Sequence, residues 1–407
     1  MPPARTPDPK PRRTTRPVLA ARLEAERSAR GRSGAERHSF QIEAREDIAL
    51  EVQGRPLRNF CGSDYLGLSQ HPEVVAGLQE CAAWNGVGTG ISHLVAAQFR
   101  AQRELEEAVA QWQGYSRALL FGSGYLANLA VMQALLRSGD LCIQDRLNHA
   151  SLTDAALLAG SDLRHYPHLA ADGALRQLRS AAGTPALLAT NGIFALDGDM
   201  APLKLLAVLA RTESATLYVD DAHGSGVIGP DGCGSVALAG LGERQVPLQL
   251  ISLGRALGCA GAVLVGQPAL IELVADSARA YLYSSLPPPA LAAAASAALT
   301  IARRETWRRY KLAALVARFR RGAQQLGIEL MDSSTPIQPL LLGSNTATLA
   351  AARQLERAGF LVTAVRPPIV PDGRARLRIT LSALHREDDV DALLEALADV
   401  MRRVSGD

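Results

Sequence analysis

Along the chain, apolar positions first recur with a helical period, then alternate, then gather into short runs separated by helical stretches. Residues 17–37 set Ala and Leu among arginines at helical spacing and predict an amphipathic helix. Residues 48–60 alternate apolar and polar about Gly54-Arg55, the pattern of a short hairpin. From about 72 to 295, apolar runs at 118–121, 141–143, 186–190, 216–219, 248–252 and 262–265 predict strands. Helical stretches such as 203–211 lie between them. Strands that alternate with helices need crossover connections, so a mostly parallel sheet covered on both faces follows. Ligands of such sheets lie beyond the carboxyl ends of the strands.

The last hundred or so residues read differently. A long basic helix over 305–326 precedes apolar segments at 328–330, 337–342, 361–365 and 377–381, with helices over 347–358 and 387–404. That is an α+β unit with its own small sheet. The predicted organisation is a tail over 1–18, an N-terminal helix and hairpin over 19–71, a large α/β domain over 72–295 and a smaller domain over 296–407. The tail is rich in Pro and Arg and is expected to be disordered.

Composition narrows the function classes. Among 407 residues, 40 acidic side chains nearly balance 43 basic ones, for a net charge of +3. So small an excess does not imply nucleic acid or a membrane surface as a partner. No apolar run reaches membrane-spanning length. Five widely spaced cysteines without a CxxC pair give neither a disulfide framework nor a zinc site, and point to a reducing cytoplasm. Within the basic total, lysine occurs only at Lys10, Lys204 and Lys311. Any chemistry that needs an amine nucleophile has three candidates.

Candidate chemistry collects at predicted strand ends. The run 216–219 leads into Asp220-Asp221-Ala222-His223-Gly224. One reading is a strand-end turn in which Asp caps the next element; the other is a carboxylate facing a cationic heterocycle with an imidazole nearby. Gly122-Ser123-Gly124-Tyr125 opens a helix whose backbone amides suit a phosphate, a weak signal alone. Asn148-His149-Ala150-Ser151 and Ser252-Leu253-Gly254-Arg255 follow two further strands, and Ser284-Ser285 adds hydroxyls. Together these are the parts of a pyridoxal-phosphate pocket, which also requires a lysine for the covalent imine.

From about residue 19 to 400 the chain resembles the α-oxoamine synthases. The resemblance rests on Ser63-Asp64-Tyr65-Leu66-Gly67-Leu68, Tyr115-Ser116-Arg117, Asn148-His149-Ala150-Ser151-Leu152, Asp197-Gly198-Asp199 and Val219-Asp220-Asp221-Ala222-His223-Gly224. Ile337-Gln338-Pro339-Leu340 and Arg366-Pro367-Pro368-Ile369-Val370-Pro371 resemble the biotin-synthesis branch in particular. The family implies an α/β, fold-type I pyridoxal-phosphate-dependent transferase with a seven-stranded-type sheet and a smaller C-terminal α+β domain. It implies decarboxylative condensation of an amino acid, here alanine, with a pimeloyl-type acyl thioester carried on coenzyme A or acyl carrier protein, in a homodimer. By position, Asp220 would hold the pyridine nitrogen, His149 would stack on the ring and meet substrate, and His223 would lie by the phenolic oxygen. The amides of Gly124 and Tyr125 with Ser252 would hold the phosphate, joined by Ser285 of the neighbouring subunit. Arg37 and Arg378 would hold substrate carboxylates, and Ile369 stands at a substrate position where the family has threonine.

The same comparison exposes departures. The family's imine-forming lysine falls at Arg255, and a guanidinium keeps its proton to pH ~12 and offers no free amine. Ala195 replaces a serine, Asn191 an acidic residue, Ser63 an asparagine, Ala96-Ala97 a Ser-Gly pair and Gln102 a histidine. These substitutions read as one group around one pocket. Two readings follow: an acyltransferase of the family, or a catalytically silent homologue acting as a binding or partner subunit. In either, pyridoxal phosphate is held without a covalent bond or not at all.

Overall fold

A computed structural model describes residues 19–32, 40–95 and 97–404. The expected tail and Arg37 lie outside the described residues. The first helix, Leu19–Arg32, precedes β1 (Ile42–Glu46), β2 (Ala49–Val52) and β3 (Arg55–Asn59). The central sheet takes β4 (Arg117–Phe121), β5 (Leu141–Asp145), β6 (Asp162–Tyr166), β7 (Ala186–Asn191), β8 (Thr216–Asp220), β9 (Leu248–Ser252) and β10 (Ala262–Gly266). The C-terminal part adds β11 (Ile337–Gly343), β12 (Phe360–Leu361), β13 (Thr363–Val365) and β14 (Ala375–Thr380).

All six strands expected in the large sheet are present. Its order is β4-β10-β9-β8-β7-β5-β6, and β10 alone runs antiparallel to both its neighbours. The seventh strand, β6, escaped the apolar-run reading. It is an edge strand, Asp-Leu-Arg-His-Tyr, with only its last residue buried, so it carries little apolar signal. By contrast β5 and β10 are buried throughout, as strands covered on both faces should be.

The C-terminal reading needs two corrections. Residues 328–330 form no strand, although Ile328 is buried in the same core as Phe319 and Leu397. The segment 361–365 is two strands divided at Val362. β12 pairs in parallel with β3 of the N-terminal hairpin, which also gains β1, whereas β13 pairs with β14. The chain there passes from one sheet to another, so its apolar residues serve two surfaces. One periodic run cannot report that.

The Ala-rich run after Pro288 is the helix Pro289–Arg304, with Ala290, Ala292, Ala294, Ala295, Ala298 and Ala302 buried. Small side chains let it lie close against the helix Pro72–Asn85, where Gly77 faces the backbone of Ala293. Among the described residues no helix is long and apolar enough to cross a membrane.

One loop sets the floor of the strand-end region. Asp221 is fully buried and accepts hydrogen bonds from Ser235 Oγ (2.6 Å), Ser235 N (2.9 Å), Ser225 Oγ (3.2 Å) and Gln249 Nε2 (3.2 Å). Gly234 closes that loop at φ +88°, and a Cβ there would run into Asp221 Oδ2. We predict that Gly234→Ala, which adds steric conflict to a left-handed backbone, destabilises the chain by roughly 2–3 kcal/mol. Urea unfolding checks this; an unchanged midpoint would refute it.

Candidate functional site

The carboxyl ends of β5, β7, β8 and β9, with the turn after β4, enclose a cavity of about 290 Å³. Its lining includes Gly124, Tyr125, His149, Asp220, His223, Ser252 and Arg255 among the expected residues. Each arrives by the same local logic, an apolar strand that ends in a polar turn. Ser123 caps the helix Gly124–Leu135, its Oγ accepting from Leu126 N at 3.2 Å. The first N–H groups of that helix have no intrahelical acceptor and face an anion naturally. The hydroxyl of Tyr125 donates to Asp154 Oδ2 at 2.5 Å, which leaves its backbone N–H as the group it could offer there.

Asp220 ends β8 with 4% exposure. Asn128 Nδ2 donates to its Oδ2 at 2.9 Å and Ala222 N to its Oδ1 at 3.1 Å. Burial pushes its pKa up, while Asn128, His149, Ala222 and Arg255 pull it back. A cationic partner in the cavity would supply the countercharge that burial leaves wanting.

Asn128 is the hub beneath Asp220. Its Oδ1 accepts from Tyr218 Oη at 2.6 Å, and its Nδ2 also donates to Ser151 Oγ at 2.7 Å. Ser151 Oγ in turn lies 2.7 Å from His149 Nδ1. Because Nδ1 also accepts from the backbone N–H of Ser151 at 3.3 Å, the Ser151 hydroxyl donates to it and the ring N–H of His149 lies on Nε2. His149 also caps the helix Ala150–Ala159, its Nδ1 accepting from Ser151 N at 3.3 Å. Asn128, Ser151 and Tyr218 had no assigned role in the sequence reading. The available signal was Asn128 one helical turn beyond Gly124, on the same face.

His223 is buried, and its Nδ1 lies 2.7 Å from Tyr65 Oη. Burial, reinforced by the positive charges of Arg255 and Arg378, drives its pKa well below the ordinary value, so it stands neutral. Arg255 projects into the same space. Its Nη1 makes one long contact to Gly254 O at 3.4 Å, and its buried Nε has no hydrogen-bond partner among the described residues. Neither Lys204, exposed on its helix, nor Lys311, on the helix Trp307–Gln325, lines the cavity.

Other expected residues fall elsewhere. Ser285 is exposed and bridges Ser92. Ile369 is exposed and does not line the cavity. Arg378 reaches the rim indirectly, donating from Nε to Ala195 O at 2.6 Å. Of the departures from the family pattern, Asn191, Ala195 and Arg255 line the cavity, and Ser63 and Gln102 are not among its lining in this chain. Gln102 is buried and donates to Pro287 O at 2.6 Å, tying down the segment that carries Ser285.

Comparison with known proteins places this geometry. The model of the family "Aminotransferase class I and II" matches residues 55–397. The 8-amino-7-oxononanoate synthase of Xanthomonas axonopodis pv. citri (strain 306) is 53% identical over 391 residues, covering 96% of this chain and 98% of the relative. A structure of serine palmitoyltransferase with a PLP internal aldimine superposes with TM-score 0.90 at 25% identity, covering 96% of this chain and all of that one. A crystal structure of 8-amino-7-oxononanoate synthase from Francisella tularensis gives TM-score 0.75 at 26% identity, covering 85% of this chain and 98% of that one. A cavity at the strand ends of a seven-stranded mixed sheet, together with these matches across nearly the whole length, shows that the chain belongs to the aminotransferase class I and II family and, within it, to the α-oxoamine synthases.

Proposed function

We propose that this chain carries an 8-amino-7-oxononanoate synthase-type pocket for joining an amino acid, alanine, to a pimeloyl-type acyl thioester on coenzyme A or acyl carrier protein. The observation that carries this reading is the convergence of Asp220, His149, His223, Ser252 and the start of the helix Gly124–Leu135 on one cavity. It is supported by the 53% identity to named synthases over nearly the full length.

The residues fit the ring and phosphate of pyridoxal phosphate. Asp220 would receive the protonated pyridine nitrogen, His149 would cover the ring, and neutral His223 would lie by the phenolic oxygen. The amides of Gly124 and Tyr125 and the hydroxyl of Ser252 would take the phosphate, with Ser285 added from a second copy in a homodimer. Arg378, held by Ala195 O, would present its remaining donors to a substrate carboxylate, where a guanidinium fork is well matched. Arg37 is proposed for a second carboxylate, and Ile369 for an apolar substrate contact. Bound in such a pocket, the cofactor supplies an electron sink for the charge left on an amino acid when carbon dioxide departs.

The residues do not fit a covalent anchor for the cofactor's aldehyde. Arg255 stands there with a proton that it does not give up, so it contributes charge and hydrogen bonds only. Pyridoxal phosphate is therefore held non-covalently, and the proton transfers that a lysine would perform have no amine to perform them. That same observation favours a second reading, in which the chain is a catalytically silent partner subunit.

Two outcomes separate these readings. With pyridoxal phosphate, alanine and pimeloyl thioester, the wild-type chain should turn over at least ~10²–10⁴-fold more slowly than Arg255→Lys, the cost of a missing acid–base group. Product formation measured for both proteins checks this. An Arg255→Lys variant that binds cofactor and forms no product would favour the silent reading. Replacing Asp220 by Asn, which removes the charge facing the pyridine nitrogen, should weaken cofactor binding about 10–100-fold, as expected for losing a charge-assisted hydrogen bond. Equilibrium dialysis reads this, and equal affinity in Asp220→Asn would rule out the proposed ring orientation.

A further inference from the structure

The cavity has two walls that share no backbone hydrogen-bond ladder beyond their strand ends. One is the turn after β5, which delivers His149. The other is the turn 192–200 after β7, which delivers Ala195 and closes on itself through Phe194 N to Asp199 O at 3.0 Å and the Ile193–Met200 bridge. Directly between them the walls meet in His149 N donating to Asn191 Oδ1 at 2.7 Å and Asn191 N donating to Asn148 Oδ1 at 3.0 Å. Behind them lies His168, outside the cavity and in no assigned role.

His168 Nδ1 is 2.9 Å from Asp145 Oδ1, and its Nε2 is 2.8 Å from Asp199 Oδ2. Its ring meets Phe194 edge-on at 4.5 Å. Asp145 also accepts from Leu147 N and Leu169 N, each at 2.8 Å, and so fixes the first turn toward His149. In the second turn, Asp197 pairs with Arg376 of β14. Ser333 Oγ and Thr335 Oγ1 donate to Gly198 O at 2.9 and 3.0 Å. Both ring nitrogens of His168 are taken up by Asp145 and Asp199 Oδ2, and Asp197 pairs with Arg376, while Asp199 Oδ1 is buried without a hydrogen-bond partner among the described residues.

The chemistry of the ring decides its state. A neutral imidazole has one N–H; its other nitrogen would point a lone pair at a carboxylate oxygen. Only the imidazolium satisfies both Asp145 and Asp199. We propose that His168 is a positioning residue: as a doubly donating imidazolium it clamps the His149 turn to the Ala195 turn and so fixes two walls of the cavity. Burial alone would lower its pKa, but the hydrogen bonds and charges of Asp145 and Asp199 outweigh burial and raise it from 6.5 to about 9. The groups facing it are Asp145 from β5, Asp199 and Asp197 from the second turn, and Arg376 beyond Asp197. The raised pKa gives the sign: the clamp is fully present below about pH 6.5 and is lost as pH rises through about 9.

The clamp itself is tested on the full chain without added cofactor. Nitrogen NMR of the histidines should show both His168 nitrogens protonated at pH 7, titrating near pH 9. A neutral ring at pH 7 would overturn the proposal even if no variant folds. By hydrogen exchange at pH 7, His168→Gln should speed exchange of residues 145–149 and 192–200 by at least about tenfold and leave β8 and β9 unchanged. His168→Arg, which restores a cation with several donors, should return both segments toward wild-type rates. Exchange unchanged everywhere, or raised equally across the sheet, would overturn a loop-specific role. The effect on cofactor rests on the pyridoxal reading. Affinity for pyridoxal phosphate should fall as pH rises through 9 in the wild type and less so in His168→Arg. If neither protein binds the cofactor at any pH, the pyridoxal reading fails while exchange and NMR still decide the clamp.

Discussion

The site depends on one constraint, a carboxylate taken out of water at the end of β8 and held by donors from below. Asp220 cannot stay charged in that position without compensation. Asn128 and the backbone of Ala222 supply part of it, and the open side of the cavity is where the rest must come from. The neighbouring network is organised to serve that oxygen. Tyr218 orients the amide of Asn128, the amide divides its protons between Asp220 and Ser151, and Ser151 directs its own toward His149. One buried amide thus couples the residue expected under the ring nitrogen to the residue expected over the ring face.

Most of the sheet was legible because strands buried on both faces write themselves as apolar runs, and these end in the polar turns that bear the chemistry. β6 was illegible for the opposite reason: an edge strand needs few apolar residues. The division of 361–365 into two strands was illegible because the pairing partner of β12 lies about three hundred residues earlier in the chain. Within the site, most residues that would touch a ligand were found from motif and family pattern. Those that work by holding others were not: Asn128 and Ser151, which also line the cavity, and His168 behind it. Their partners come from distant segments, and nothing local in Tyr-Pro-His-Leu announces two carboxylates from separate turns. The departures from the family pattern also needed the fold to be sorted, since Gln102 proves to brace the Pro287 segment while Ala195 and Arg255 face the cavity.

The scarcity of lysine takes its meaning from that geometry. On an exposed face an arginine replaces a lysine at little cost. At position 255, where the resemblance to the family places a lysine, the arginine would keep the positive charge and offer no nucleophile. The guanidinium lies close enough to His223 and Asp220 to bias both toward their less protonated forms, and its buried Nε is left without an acceptor among the described residues. On the proposed reading the pocket is chemically asymmetric: it would suit a pyridinium ring and a phosphate, and Arg255 would offer no amine for the covalent bond.

The most direct test of this account is the covalent state of the bound cofactor. Wild-type chain saturated with pyridoxal phosphate is treated with borohydride, which would fix any imine, and the mass of the intact chain is measured beside the amount of cofactor released on dialysis. The account predicts stoichiometric binding, full release and an unchanged chain mass. Cofactor fixed to the chain, or no binding in the presence of Asp220, His149 and the helix start at Gly124, would contradict it.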